Sequence, residues 1–312
     1  MMQSGRFQKK SGRGFVTIAT GDAKYYRMAL NLLKSYRKNS KDDVPFALLC
    51  DRDCPEARAF DTFVLMENVH SSYLDKLSLY QYTPYAQTIF IDADALILSD
   101  TRVLWQDYEP TEAFSCYGKT LPLDSKNGWF FYEDMGELKD SIHYIVSMHG
   151  GLYYLRESEG CRRVFEKALS LANEYGKYTF ANFKKPADEP VLALSMALEG
   201  CKPHPKQERI LFVPSFEGTL RVNRKGEVMQ GFRKADAVVL HFANRNLNRF
   251  LYQYLIRTME YAEKHNGRRL PLTSRLAIRS KYLKNDLTVL MKTVLKKILP
   301  KALIKKLRKN NA

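Results

Sequence analysis

Four short apolar runs in the first hundred residues constrain the fold of this chain more than any other feature. FVTIAT (15–20), PFALLC (45–50), TFVLM (62–66) and TIFID (88–92) are rich in β-branched and aromatic residues and show no regular alternation with polar ones. Strands that are apolar on both faces belong in a sheet covered on both sides, the usual setting of parallel strands joined by helices. The intervening segments agree. In GDAKYYRMALNLLKSYRKNS (21–40), Tyr26, Ala29, Leu30 and Leu33 fall at helical spacing, and SSYLDKLSLYQY (71–82) predicts a helix with Ser71 or Ser72 as its N-cap. The order β-α-β-β-α-β predicts an α/β fold with a mostly parallel central sheet.

Later segments extend the pattern. AFSCYG (113–118) reads as a strand, and DSKNGWFFYEDMGELKD (124–140) as an irregular aromatic loop or lid. VSMHGGLYYLRES (146–158) reads as a strand interrupted by a glycine pair. Residues 159–175, 187–200 and 248–265 predict amphipathic helices, with Pro190 suited to a first turn. RILFVP (209–214) and ADAVVLHF (235–242) read as closing strands, the second running into His241.

With 45% hydrophobic residues over 312 positions, the chain can bury a substantial core, which excludes a disordered class. No stretch approaches the roughly 20 uncharged apolar residues of a membrane span. The net charge of +16 is concentrated at the ends: residues 264–312 carry +14, residues 1–14 carry +4, and the body between them sums to −2. We expect a flexible basic leader over 1–14, without the apolar centre of a secretory signal, a catalytic domain over 15–265, and a basic helical tail over 266–312. In that tail Leu283, Leu287, Leu290, Met291, Val294, Leu295 and Ile298 form one helical stripe with lysines opposite, before Pro300 breaks it. Such helices lie in anionic membrane interfaces; packing on the body, or contact with nucleic acid by bare charge, is the alternative. The aromatic interleaving of base-stacking segments is missing, so no specific nucleic-acid partner is expected. Cys50, Cys54, Cys116, Cys161 and Cys201 read as buried or incidental thiols of a cytoplasmic protein, with no second Cys or His pair to complete a zinc site.

Three polar constellations stand out. Asp92 and Asp94 flank one residue at the end of an apolar run, a spacing that lets two carboxylates approach one hard cation. The alternative is a strand-terminating aspartate followed by a helix N-cap. His241 follows the apolar run AVVL; it is either a hydrogen-bonded structural residue or, if its strand lies near the aspartates, a third ligand, which favours Mn²⁺ over Ca²⁺. Asp188 and Glu189 precede a helical run and either complement the helix N-terminus or face a reacting centre.

Taken in order, FVTIATGDAKYYRMAL, DKLSLYQYTPYAQTIFIDADALIL, HGGLYYLRES, ADEPVLAL and HFANRN resemble the GT-A-fold glycosyltransferases. They are most similar to the retaining family 8 type that includes glycogenin and the bacterial lipopolysaccharide galactosyl- and glucosyltransferases. The resemblance covers about residues 15–260. It implies a Rossmann-like nucleotide-sugar fold and a Mn²⁺-dependent (or Mg²⁺-dependent) hexosyl transfer from a UDP-sugar to a glycan or lipid-linked acceptor. That activity would serve surface polysaccharide or lipopolysaccharide synthesis on the inner face of the cell membrane. By the same resemblance, Thr20, Asp22 and Tyr25 would lie near base and ribose, and Lys76 would contact the sugar nucleotide. Asp92, Asp94 and His241 would bind the metal. Gly150 and Gly151 would let the backbone approach the donor sugar, and Asp188, with Glu189 beside it, would face the transferred sugar. One departure is plain: where the family has a glycine and then a diphosphate-gripping lysine after its HF segment, this chain has Asn244 and Leu247. Arg245 or Arg249 would have to supply the cation, which bidentate arginine–phosphate chemistry allows. Two other classes compete. A sugar nucleotidyltransferase shares the sheet but opens with a glycine-rich phosphate loop, which TGDAKYY is not; a non-catalytic docking protein has no need of intact Asp92, Asp94 and His241.

Overall fold

The structure, a computed structural model, describes residues 10–181, 185–216, 219–223, 227–243 and 246–298. The chain divides into two compact units. One runs to Ile210 and takes in Ala237–His241; the other comprises Leu211–Asp236 and the chain from Phe242 onward.

The first unit is built on a six-stranded sheet. β1 (Lys10–Ala19), β2 (Phe46–Cys50), β3 (Thr62–Leu65) and β4 (Tyr85–Ile91) are mutually parallel, while β6 (Phe114–Leu121) and β7 (Ile145–Arg156) join through antiparallel pairings, giving the order β3-β2-β1-β4-β7-β6. α1 (Ala23–Asn39) follows β1, and a 3₁₀ turn over Tyr73–Ser78 leads into α2 (Leu79–Tyr82) ahead of β4. β5 (Ala95–Ile97) and α3 (Arg102–Tyr108) come next, and α4 (Glu159–Asn173) and α5 (Asp188–Leu198) follow β7.

Both sheet faces are buried, as the unalternating strands require. On one face Phe15 packs against Tyr36 of α1 and Trp105 of α3, each with ring centroids 5.1 Å away. On the other, Phe90 stacks on Tyr153 and joins a core with Val16, Leu49 and the apolar side of α4 and α5. Helix starts are set locally: Asp22 Oδ1 accepts from the Lys24 N–H at 2.8 Å, and Ser72 and Asp75 form a reciprocal capping box.

β8 (Ile210–Phe212) spans the division of the chain, and β12 (Val239–His241) returns to the first unit to pair antiparallel with β5. The second unit holds a small antiparallel sheet of β9 (Leu220–Val222), β10 (Val228–Gln230) and β11 (Arg233–Lys234), together with α6 (Phe250–Lys264) and α7 (Leu272–Ile298). α7 is anchored there by Arg275, which donates to the carbonyls of Val222 and Asn223, and by Ile278 and Tyr282 against the Phe250–Tyr254 cluster.

Several elements differ from the sequence reading. Residues 10–14, expected in the leader, are strand, and the glycine pair of β7 does not interrupt it. α6, assigned by sequence to the catalytic domain, groups with α7. β5, α3 and β9 to β11 were not expected; at two to seven residues they are too short to show periodicity.

Candidate active site

β4 ends in a turn that carries two largely buried carboxylates. The Ala95 N–H donates to Asp92 O and the Asp92 N–H to Gly151 O, both at 3.0 Å, so Asp92 and Asp94 flank a fixed bend before β5 begins. β5 then pairs with β12 in a register that sets His241 opposite Ala95. This pairing carries a residue distant in sequence to the aspartates: His241 Nε2 lies 3.0 Å from Asp94 Oδ1 and 3.5 Å from Asp92 Oδ2. One ligand atom from each of the three falls within 4.8 Å of the others, the one such group among the described residues. Cys50 and Cys54 belong to no such group.

Lys76 ties this trio to α5. Its Nζ lies 2.9 Å from Asp92 Oδ1 and 3.1 Å from Asp188 Oδ2, and donates to Gly150 O at 3.3 Å. Burial opposes the ammonium charge, but the carboxylates of Asp188 and Asp92 outweigh it and hold the lysine pKa above its usual range. Asp92 itself is raised, because burial costs its charge more than Lys76 and His241 return. Asp94 is also buried, yet the adjacent His241 outweighs the burial and lowers it; His241 is raised by the same contact against its own burial.

Asp188 and Glu189 are the first two residues of α5, and neither is spent on capping it. Tyr153 donates its hydroxyl to Asp188 Oδ2 at 2.7 Å, while Glu189 Oε1 accepts from the Gly150 N–H at 2.8 Å. Burial first, and the charge of Asp188 second, push the Glu189 carboxyl up to about 7. Gly150 and Gly151 lie beneath these groups. A Cβ on Gly150 would overlap the Glu189 side chain, and one on Gly151 would sit 2.5 Å from His241 Nδ1. The need for glycine here is close approach by the chain's own catalytic candidates.

Thr20 joins the network through Asp75, to which its hydroxyl donates at 3.0 Å, next to Lys76 in sequence. Asp22 caps α1, and the Tyr25 ring lies under the Lys24 ammonium at 4.8 Å; among the described contacts neither reaches the trio. Asn244 and Arg245 lie outside the described residues. Arg249 is in the second unit, paired with Asp286 at 3.1 Å.

Four residues of this neighbourhood escaped the sequence reading. Asp75 was signalled by its capping-box spacing from Ser72. Asp51, following β2, accepts from the Gly21 N–H at 2.6 Å and from the Tyr26 hydroxyl. His149 and Tyr153 share a strand face with Gly151 by the period of two. The His149 ring lies 5.2 Å from that of His241, and burial with the neighbouring His241 charge pushes its pKa down to about 3.

The donor set fits a divalent cation. Lys76 pairs with Asp92 and Asp188, His241 with Asp94, and the three carboxylates outnumber the one ammonium; carboxylate oxygens beside an imidazole are donors that a divalent cation accepts. No protein-family profile matches the sequence, and no curated protein does either. Solved structures do. A galactosyltransferase, LgtC, in complex with donor and acceptor sugar analogues, superposes at a TM-score of 0.52 with 12% identity, over 84% of this chain and 99% of that one. The fold is GT-A.

The WbbM bifunctional glycosyltransferase superposes at 0.51 with 11% identity, over 88% of this chain and 52% of that one. In a GT-A sheet the parallel strands of the first half end on the side where ligands collect. Here that side holds Thr20, Asp51 and the Asp92–Asp94 bend, at the ends of β1, β2 and β4.

Proposed function

We propose that the chain is a retaining glycosyltransferase that moves a hexose from a UDP-sugar to a glycan or lipid-linked acceptor in surface polysaccharide or lipopolysaccharide synthesis. The observation that carries this reading is the convergence of Asp92, Asp94 and His241 within 4.8 Å, at a strand end of a GT-A sheet. In such a transfer the bond from C1 to the diphosphate oxygen breaks, leaving negative charge on the phosphate and positive charge on the sugar ring. Asp92, Asp94 and His241 would hold a divalent cation, which would supply Lewis-acid stabilisation of the leaving diphosphate. Lys76 holds the Asp92 and Asp188 carboxylates in place through one ammonium. Asp188 and Glu189 offer negative charge to the oxocarbenium-like ring, so we assign them electrostatic roles. The acceptor hydroxyl approaches on the leaving-group face, bonds to C1 and gives its proton to a diphosphate oxygen, which retains configuration. Assay of UDP-glucose and UDP-galactose hydrolysis with and without Mn²⁺ tests this. Metal-stimulated turnover of one of them, abolished in Asp94→Ala, is expected; no turnover of any sugar nucleotide would refute it.

The tail bears on location. Leu272, Leu276, Leu283, Leu287, Leu290 and Met291 of α7 are 45–69% exposed, and at 3.6 residues per turn they fall within about 100° around the helix. The face that packs on α6 is the other one, carrying Ile278 and Tyr282. An apolar stripe on a strongly basic segment is complementary to anionic lipid headgroups over acyl chains, so the protein is assigned to the cytoplasmic membrane surface, where a lipid-linked acceptor would be found. No helix among the described residues is long and apolar enough to cross a membrane.

A further inference from the structure

The opposite end of the sheet carries a second polar cavity with no part in the site above. β1, β4 and β7 are adjacent there, and their registers align Arg13 with Gln87 and Gln87 with Arg156. The three side chains therefore form one row across three strands on one sheet face. The next row inward on that face, Phe15, Ile89 and Tyr154, is fully apolar or aromatic and buried, so the polar row cannot sink into the core. α3 and the residue after it close the space from the other side with Arg102, Trp105, Gln106 and Glu109, leaving a cavity of about 520 Å³. Gln87 is five residues before Asp92, which follows the end of the same strand, about 17 Å at the rise of a β-strand.

Two of the three arginines lack a close counter-charge. Arg102 is fully engaged by Asp100. Arg13 reaches Asp42 only at 3.9 Å and otherwise lies over the Trp105 ring at 5.1 Å. Arg156 donates to the Tyr154 hydroxyl at 3.1 Å and the Glu109 carbonyl at 3.0 Å, both uncharged acceptors, and no carboxylate pairs with it among the described residues. Those two bonds fix its guanidinium plane without pairing it to a carboxylate, Glu109 being the one acid among the lining residues, and a guanidinium held in this way is preorganised for an oxyanion. The volume is well beyond that of an inorganic anion and falls in the range of small-ligand pockets. Planar guanidinium and amide groups around it are donors suited to a polyhydroxylated ligand.

We propose that the Arg13–Gln87–Arg156 cavity binds a saccharide bearing an oxyanion, a carboxylate or a phosphate, as a second site remote from the Asp92–Asp94 bend. The proposal stands whether or not the chain transfers glycosyl groups. Calorimetric titration of the full-length protein with glucuronate, glucose 6-phosphate, glucose and inorganic phosphate tests it, and the two charged sugars tell carboxylate from phosphate. Saturable binding of at least one charged sugar is expected, tenfold or more tighter than glucose or phosphate alone. That binding should fall at least tenfold in Arg156→Gln and in Arg13→Gln, fall less in Arg156→Lys, and persist in Asp94→Ala. The arginines are partly exposed, and unchanged melting temperatures would show that the variants fold; a variant that melts early is replaced by Gln106→Glu, which puts a negative charge on the exposed wall. No binding of either charged sugar, equal binding of inorganic phosphate, or binding lost in Asp94→Ala but not in the arginine variants would each overturn the proposal.

Discussion

Lys76 decides how four carboxylates can share a small volume. Asp92 and Asp188 lie 2.9 and 3.1 Å from its Nζ, and without it both would lose that counter-charge in a largely buried setting. Removing one partner of a buried ion pair costs about 3–5 kcal/mol, because the orphaned charge has no water to return to. Lys76→Met should therefore lower stability by about that much at pH 7. The loss should shrink toward pH 5, because the Asp92 carboxyl, already raised by burial, loses the ammonium that opposes the rise, and protonation then favours the folded state. Thermal melts across that pH range would show it; a pH-independent loss would contradict it. Glu189 makes a second test. Its carboxyl is pushed up to about 7, so the folded state holds a proton that the unfolded chain has already released. Its contribution to stability thus declines as pH rises from about 4.5 to about 7. If its ionised form supports the sugar cation, kcat/KM should climb through an acidic limb near 7 that Glu189→Gln removes. The sequence singled out both acids and the lysine by type, position and resemblance. It did not reveal that Lys76 bridges them, because nothing in a linear pattern tells which strand end faces which helix.

At the scale of elements, the pairing of β5 with β12 assembles the site. Three residues, Ala95–Ile97, fix the register that delivers His241, and three residues are too few to announce themselves by alternation. In the sequence the apolar chain resumes after Asp94 and a strand runs into His241, but no linear pattern pairs the two. The glycine pair shows the converse error. Gly150 and Gly151 looked like a break in a strand, whereas β7 continues and the missing Cβ atoms make room for Glu189 and His241. Gly151→Ala should accordingly displace the His241 ring rather than unfold the strand. We expect a stability loss of about 1–3 kcal/mol from overpacking, with the affinity for Mn²⁺ falling by a larger factor than in a distant control of equal stability. Metal titration of the two variants at matched folded fraction checks it; an unchanged affinity would contradict it.

On the scale of the whole molecule, the strands that drive the fold were plain from their unbroken apolar character. Most of the six-stranded sheet and all the long helices follow from it. The boundary between the units was not, because α6 has the same amphipathic pattern whichever body it packs against; only its contacts with β9 and α7 assign it. The leucine stripe of α7 was legible from spacing, and its exposure gives the proposed membrane role a direct test. Sedimentation with vesicles containing anionic lipid should recover the full chain, and recovery should drop several-fold in Leu283→Glu/Leu287→Glu, with salt weakening the remainder. Equal recovery of the variant would contradict a docked helix.

Titration of Mn²⁺ in the presence of UDP, followed by the loss of the free-ion paramagnetic signal, reads out the Asp92–Asp94–His241 group itself. One ion should bind per chain, at least tenfold more weakly in Asp94→Ala and in His241→Ala, and with unchanged affinity in Arg156→Gln. Stoichiometric binding that survives both ligand substitutions, or no binding by the native chain, would contradict it.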